Sequence, residues 1–165
     1  MASDLTVCSE DALFTHRALS YIGPTEEIVC PGIEIMGLKK MKEMMYTRRP
    51  ITAEEALQYG LVTRVVARDK LEETVNEMAQ VVATLSIDHI MAGKAVIEAM
   101  LHMRGVYGGM VVTAMAHNMA TWVQWEPDEF NLFKQRRDKG ITGAIRAREE
   151  MLPPAYRLSR KKEGK

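Results

Sequence analysis

Between His16 and Glu27 the chain places four side chains that could move a proton close together in sequence. His16 ends a run of strand-forming residues, Tyr21 sits in a loop, and Glu26 and Glu27 stand at the start of a helical pattern. Imidazole changes charge near neutral pH, so His16 could shuttle a proton. A carboxylate at a helix N-terminus is favoured in its charged form, which suits Glu26 or Glu27 to the work of a base rather than an acid. Tyr21 offers a phenolic O–H that could bond a carbonyl oxygen. Each of these residues also has a plain structural reading: a solvated or hydrogen-bonded histidine at a strand end, and two first-turn acids at a helix start. His89, His102 and His117 lie on helices without a repeating ligand spacing and read as core or surface residues. No stretch reads as a metal site, a nucleotide-phosphate loop or a Ser-His-Asp arrangement.

The elements that must position these groups follow from local pattern. Asp4 to Ser9 alternates weakly and suits a strand; Ala12 to His16 suits a second, with Glu10-Asp11 as the turn of a two-strand ribbon. Gly23-Pro24 marks a loop, Thr25 can cap a helix from Glu26 towards Met36, and Gly37 ends it. Leu38 to Thr47 reads as another helix, with Leu38, Met41, Met44 and Met45 on one face. From Arg49 to Val66 the chain reads R-P-I-T-A-E-E-A-L-Q-Y-G-L-V-T-R-V-V. Thr52 and Glu55 are spaced as a capping box, Gly60 supplies a left-handed stop, and Leu61 to Val66 turns β-branched like a short buried strand.

Helices continue to the C-terminus. Asp69 is placed to cap a helix to about Leu85, whose Leu71, Val75, Met78, Val82 and Leu85 form an amphipathic stripe. Ser86 can cap the next helix, to about Met103. Gly105 and the Gly108-Gly109 pair should break or bend the chain. Met110 to Trp125 reads as a mostly buried helix. Pro127, Asp128 and Glu129 suit the opening of another, ending at Gly140. Ile141 to Glu150 makes a last helix stopped by Pro153-Pro154, followed by a basic tail.

Composition sets the bounds. The 165 residues allow one domain with a real core, and 47% hydrophobic with 27% charged residues is ordinary for a globular protein. Lysine and arginine together number 22, as do aspartate and glutamate, so the balanced charge argues against a general nucleic-acid binder. Cys8 and Cys30 show no metal spacing and, without a signal-like N-terminus, read as reduced thiols in a cytoplasmic protein. No apolar run approaches the ~20 residues that span a membrane. The 13 methionines read as core filler or as the lining of an adaptable apolar pocket.

Two segments carry a specific resemblance. The Arg49 to Val66 wording resembles the I-T-A-x-E-A-x-x-x-G-L-V-x-x-V-V segment of the crotonase family, the enoyl-CoA hydratases and isomerases. D-L-T-V-C-S-E-D-A-L-F, from Asp4, is similar to the family segment in which an aspartate opens a strand and S-E-D-A-x-F leads to the active-site edge. The likeness extends from Asp4 to Arg148 and loosens beyond residue 86. It implies an α-rich α/β fold: residues 1–66 as a remnant of the ββα spiral core, residues 67–150 as a C-terminal helical region of the kind that builds trimers, and residues 151–165 as a basic tail. It also implies an acyl-CoA thioester as substrate with no separate cofactor or metal, and a homo-oligomer, trimer or hexamer, with no nucleic-acid or membrane partner.

The resemblance bears on the chemistry residue by residue. Family members polarise the thioester carbonyl with two backbone N–H groups, and one such donor contributes about 3 kcal/mol to an enolate-like transition state. Both donors belong to segments ahead of those matched here, so this chain is expected to correspond to the C-terminal portion of a crotonase and, alone, to lack crotonyl-CoA hydration. Hydratases also carry a glutamate in a Q-P-E-like motif after the second strand; aligned on Phe14, His16-Arg17-Ala18 occupies it, and alanine transfers no proton. Other members place a carboxylate in the loop after Gly-Pro, which here implicates Glu26 or Glu27 as the base, with His16 or Tyr21 assisting. The family's closing A-F-x-x-K-R helix holds the CoA nucleotide. Its counterpart offers Arg146 and Arg148 for phosphates, or a solvated basic face. The competing expectation is a non-catalytic truncated member serving as an oligomerisation or interaction module.

Overall fold

The computed structural model describes residues 3–16, 26–119 and 122–157, with the side chains of Glu26 and Glu27 outside the description. Strands β1 (Val7–Ser9) and β2 (Leu13–Phe14) come first. Helices α1 (Glu26–Met36) and α2 (Leu38–Thr47) follow, separated at Gly37, whose φ of 79° lies where glycine is at ease. Strand β3 (Ile51–Thr52), helix α3 (Ala53–Gln58) and strand β4 (Arg64–Val66) make the helix–turn–strand at the centre of the chain. Next come α4 (Leu71–Ala83), α5 (Ile87–Met103), α6 (Val106–Met119) and α7 (Leu132–Glu150). Gly140 interrupts α7 with φ 70° and ψ 173°, so the run is two helical pieces meeting at a glycine, as its position in the sequence implied.

The two-strand ribbon does not form. β1 pairs in parallel with β4 (Val7 with Arg64, Cys8 with Val65, Ser9 with Val66), and β2 pairs antiparallel with β3 (Leu13 with Thr52, Phe14 with Ile51). The Glu10-Asp11 turn is a corner between two small sheets: Ala12 N–H donates to the Ser9 carbonyl at 3.0 Å, and the Asp11 carboxylate is held by Arg68 at 2.6 Å. The physical reason is burial. Pairing with β3 and β4 lets Cys8, Ile51, Leu61 and Val62 share one core with Met36, Met41, Met44, Ala53 and Ala56, which a local hairpin could not supply.

Other local expectations shift. Asp69 lies in a 3-10 turn, Arg68–Lys70, ahead of α4, and neither α4 nor α5 has a side-chain cap. The chain turns at 127–129, where the Glu129 carboxylate accepts from the Glu126 N–H at 2.9 Å; α7 begins only after Asn131, whose side chain caps Lys134 N–H at 3.0 Å. Gly108 and Gly109 stay inside α6, and the break falls at Gly105, φ 79°. The expected buried helix over Met110 to Trp125 is α6, shorter and largely open: Val111, Val112, Met115 and Met119 are each over 60% exposed, and Trp122 is 77% exposed. A single chain covers α6 mainly on the α1 side, which leaves its opposite face bare. Methionines divide the same way, with Met36, Met41 and Met44 buried and Met91, Met100, Met103 and Met119 on the surface. No described helix is long and apolar enough to cross a membrane.

Candidate active site

The helix–turn–strand is built as its wording requires. Thr52 accepts the Glu55 N–H through its hydroxyl at 3.2 Å, and the Glu55 carboxylate accepts the Thr52 N–H at 3.0 Å, a closed capping box. Gly60, φ 75°, turns the chain so that Leu61 and Val62 enter the core.

Around that box lies an ion network that the sequence alone did not reveal. The Arg49 guanidinium reaches both oxygens of Glu55, at 2.7 and 3.1 Å, and also Glu43 at 3.0 Å. Lys40, only 8% exposed, bonds Glu43 at 3.1 Å and Glu55 at 3.4 Å, and its ammonium stands 4.7 Å from the centre of the Tyr59 ring. The Arg49 guanidinium draws the Glu55 carboxyl down to about 2 against the pull of burial, helped by the Thr52 N–H and Lys40. Burial pushes Glu43 upward, but the bonds from Lys40 and Arg49 together outweigh it and leave Glu43 below the usual carboxylate range. Glu55 in turn raises Arg49 further into its charged form. The only local signal for this network was Glu55, already assigned to the cap; Lys40 joins it from fifteen residues away, across the core that α2 and α3 share.

The network lies beside β3, which pairs with β2, the strand that leads to His16. The antiparallel register of β2 and β3, carried two residues onward, brings Thr15 and His16 opposite Pro50 and Arg49. Thr15 donates its hydroxyl to the Arg48 carbonyl at 3.2 Å, and His16 is 1% exposed. Arg48 caps α2 in the left-handed region, φ 59°, where an L side chain is under strain. His16 is thus a buried group at a strand end rather than a solvated one. Glu26 and Glu27 form the first turn of α1, as their sequence position implied. Tyr21, Ala18 and Thr25 fall outside the described residues. Cys8, buried within β1, has its thiol pushed up by burial and is a poor nucleophile.

The arginines proposed for phosphates lie on the last piece of α7. Arg146 is exposed. Arg148 packs its guanidinium 5.0 Å from the centre of the Phe130 ring and 4.0 Å from the Met151 sulfur. Two residues apart on a helix, they point about 200° away from one another and cannot grip one phosphate together. Among the described residues no group of three or more His, Cys, Asp or Glu side chains converges as a metal site would require.

An apolar cleft of about 390 Å³ lies elsewhere, between Leu5 and Val7 of the β1 segment and Val75, Met78 and Val82 of α4. The α4 stripe read from the sequence therefore faces the sheet, but incompletely, and no α4 residue is buried.

Comparison with known proteins agrees with this architecture. Residues 1–125 match the family model described as enoyl-CoA hydratase/isomerase. The chain is 37% identical over 81 residues to a carnitinyl-CoA dehydratase of Salmonella typhi, covering 48% of this chain and 31% of that protein. It is 43% identical over 53 residues to the mitochondrial enoyl-CoA hydratase domain-containing protein 3 of Rattus norvegicus, covering 32% of this chain and 18% of the relative. Among solved structures, a probable enoyl-CoA hydratase from Mycobacterium smegmatis superposes with a TM-score of 0.65 at 35% identity, covering 71% of this chain and 47% of that one. An enoyl-CoA hydratase/isomerase from Xanthobacter autotrophicus, 24% identical, shares the fold with a TM-score of 0.75 over 92% of this chain and 56% of its own. The chain thus spans less than a third of these curated relatives and about half of these solved structures. The α-rich arrangement, short paired strands and α3 followed by a run of helices, is a partial ββα spiral of that fold. On the match over residues 1–125, the chain belongs to the enoyl-CoA hydratase/isomerase, or crotonase, family.

Proposed function

We propose that this chain supplies the proton-transfer and CoA-holding parts of a crotonase-type site that acts on acyl-CoA thioesters. The observation that carries the reading is the buried His16 at the end of β2, ten residues ahead of a helix that opens on two glutamates. Glu26 or Glu27 removes the proton α to the thioester carbonyl. The electron pair of that C–H bond moves onto the carbonyl oxygen as an enolate. His16 or Tyr21 assists in moving the proton. The two backbone donors that stabilise the enolate oxygen come from other polypeptide, a partner chain or the N-terminal half of the fold, and Arg146 or Arg148 meets a CoA phosphate.

The test is turnover of the full-length or reconstituted enzyme with Glu26→Gln, Glu27→Gln and His16→Gln. Loss of a general base slows turnover ~10²–10⁴-fold. Melting should barely change, since a first-turn acid contributes only ~0.3–1 kcal/mol through the helix dipole. Normal turnover in both glutamate variants removes the assignment; slowing in His16→Gln alone moves the chemistry to the histidine.

A second reading, an oligomerisation or interaction module, draws on a separate observation. Neither α4 nor α5 buries a residue, and α6 exposes Val111, Val112 and Met115. Contiguous apolar surface of this kind marks association sites. Light scattering at micromolar concentration should show a homo-oligomer, trimer or hexamer; a stable monomer speaks against it.

A further inference from the structure

Strand β1 is paired on one edge only. The Thr6 carbonyl accepts the Thr63 and Arg64 N–H groups at 2.7 and 3.3 Å, and the Glu10 N–H donates to the Val66 carbonyl at 2.9 Å, so the even-numbered residues of this segment face β4. Successive backbone groups of a strand point to opposite edges, so the N–H and C=O of Val7 and the N–H of Ser9 point away from β4. Among the described residues no strand takes them, because β1 and β4 make a sheet of their own. Ser9 is nevertheless only 7% exposed, and its carbonyl turns back to the Ala12 N–H at 3.0 Å. A backbone donor on a residue so covered is costly without a partner.

The apolar cleft opens beside that edge. Leu5 and Val7, two apart in sequence, send their side chains to the same face, and α4 lies over it. The cleft of about 390 Å³ runs from them to Val75, Met78 and Val82 of α4 and Ile90 of α5, with no β4 residue in its wall. A smaller recess of about 250 Å³ shares Leu5, Met78 and Val82 and is walled by Arg64 of β4. The smaller recess marks the β4 side of β1, so the larger cleft lies on the side of the unpaired edge. Exposed edges are commonly blunted by a charge, a proline or a bulge. Val7-Cys8-Ser9 carries none of these. Of the flanking acids, Asp4 is held by Lys94 and Asp11 by Arg68, each at 2.6 Å, which leaves only Glu10 just past the strand.

We propose that the unpaired edge of β1 is the seat of the polypeptide that completes the site: an extended segment adds to β1 as a further strand and sets one apolar side chain in the cleft under α4. The proposal rests on the reading above that other polypeptide brings the two backbone donors, and it adds where that polypeptide is held. Main-chain bonds to Val7 and Ser9 supply the pairing, and the cleft selects an apolar residue at one alternate position of the incoming strand. The solved relatives hold about as much chain again, and this edge is where the pairing of β1 leaves room for it.

The experiment is amide hydrogen exchange, read by NMR on the 165-residue chain alone and with a peptide probe of alternating valine and threonine, with a lysine at each end to keep it dispersed. Exchange at Val7 and Ser9 is expected to slow by about tenfold at saturating peptide, while the Glu10 N–H, already paired with β4, changes little. The same peptide N-methylated at alternate residues should slow neither. Val7→Pro removes a donor of the free edge and leaves the bonds of Thr6 and Glu10 to β4 in place. Ala79→Phe fills the cleft from an exposed position on α4. Both variants should abolish the slowing at Ser9. No slowing in the native chain, equal slowing by the N-methylated peptide, or slowing that survives Ala79→Phe overturns the proposal. If Val7→Pro does not fold, Ala79→Phe and the N-methylated peptide decide by themselves. Turnover of the reconstituted enzyme separates this proposal from the reading beneath it. Slowed exchange with full turnover in both glutamate variants supports the seat and removes the base assignment; unslowed exchange with slow glutamate variants does the reverse.

Discussion

Replacing Glu55 by glutamine removes one charge from the network beside β3 while keeping its shape. The amide oxygen can still accept the Thr52 N–H, so the cap is largely preserved and the change isolates the ion pairs with Arg49 and Lys40. The folded-state carboxyl titrates at about 2 against an ordinary 4.5. At ~1.36 kcal/mol per unit, that difference corresponds to an upper figure of about 3.4 kcal/mol. The side chain is 26% exposed, so water screens part of it, and a loss of about 2–3 kcal/mol at neutral pH is the working value. For a chain of this length that lowers the melting temperature by roughly 4–12 °C. The folded pKa is depressed, so the contribution is fully present above the unfolded value and disappears as pH falls from about 5 through about 2. Urea denaturation of both proteins at pH 7, 5, 4 and 3 should show a gap that is constant at the two higher values and narrows below them. A variant as stable as the native chain at pH 7, or a gap that does not narrow on acidification, would refute the reasoning.

Gly109→Ala should lower stability by about 1–3 kcal/mol, because the new methyl meets the Cys30 sulfur across the α1–α6 contact; Cys30→Ala in the same chain should restore most of the loss, and thermal melts of the two single variants and the double check it. Thr52→Ala should cost about 1 kcal/mol through loss of the α3 cap, read from the urea midpoint at pH 7. Arg48→Gly should leave the midpoint unchanged or raise it, since the ~1–2 kcal/mol strain of a left-handed L residue is relieved against glycine's greater chain entropy; a drop of more than about 1 kcal/mol would mean that the Arg48 side chain holds its surroundings together.

What the sequence determined by itself is the set of features whose partners lie within a few residues. The capping box of Thr52 and Glu55, the stops at Gly37 and Gly60, the break at Gly140 and the bounds of α1 and α2 all rest on dihedral preference or on bonds spanning one turn, so local wording suffices. The wording of residues 49–66 also carried the family. Strand partnership was decided only in three dimensions. The segments at 4–9 and 12–16 are adjacent and could have formed a ribbon, yet each found its partner some forty to sixty residues away, because that pairing buries Cys8, Ile51 and Val62 in one core. The ion network belongs to the same class: Lys40, Glu43 and Arg49 carry no local pattern that names Glu55 as a partner, and the core shared by α2 and α3 is what brings them onto it. Burial of His16 likewise depends on which elements touch and in what direction. A single chain's periodicity carries no information about direction, since an amphipathic stripe records only that one face is covered, and contact between distant segments is what names the covering partner.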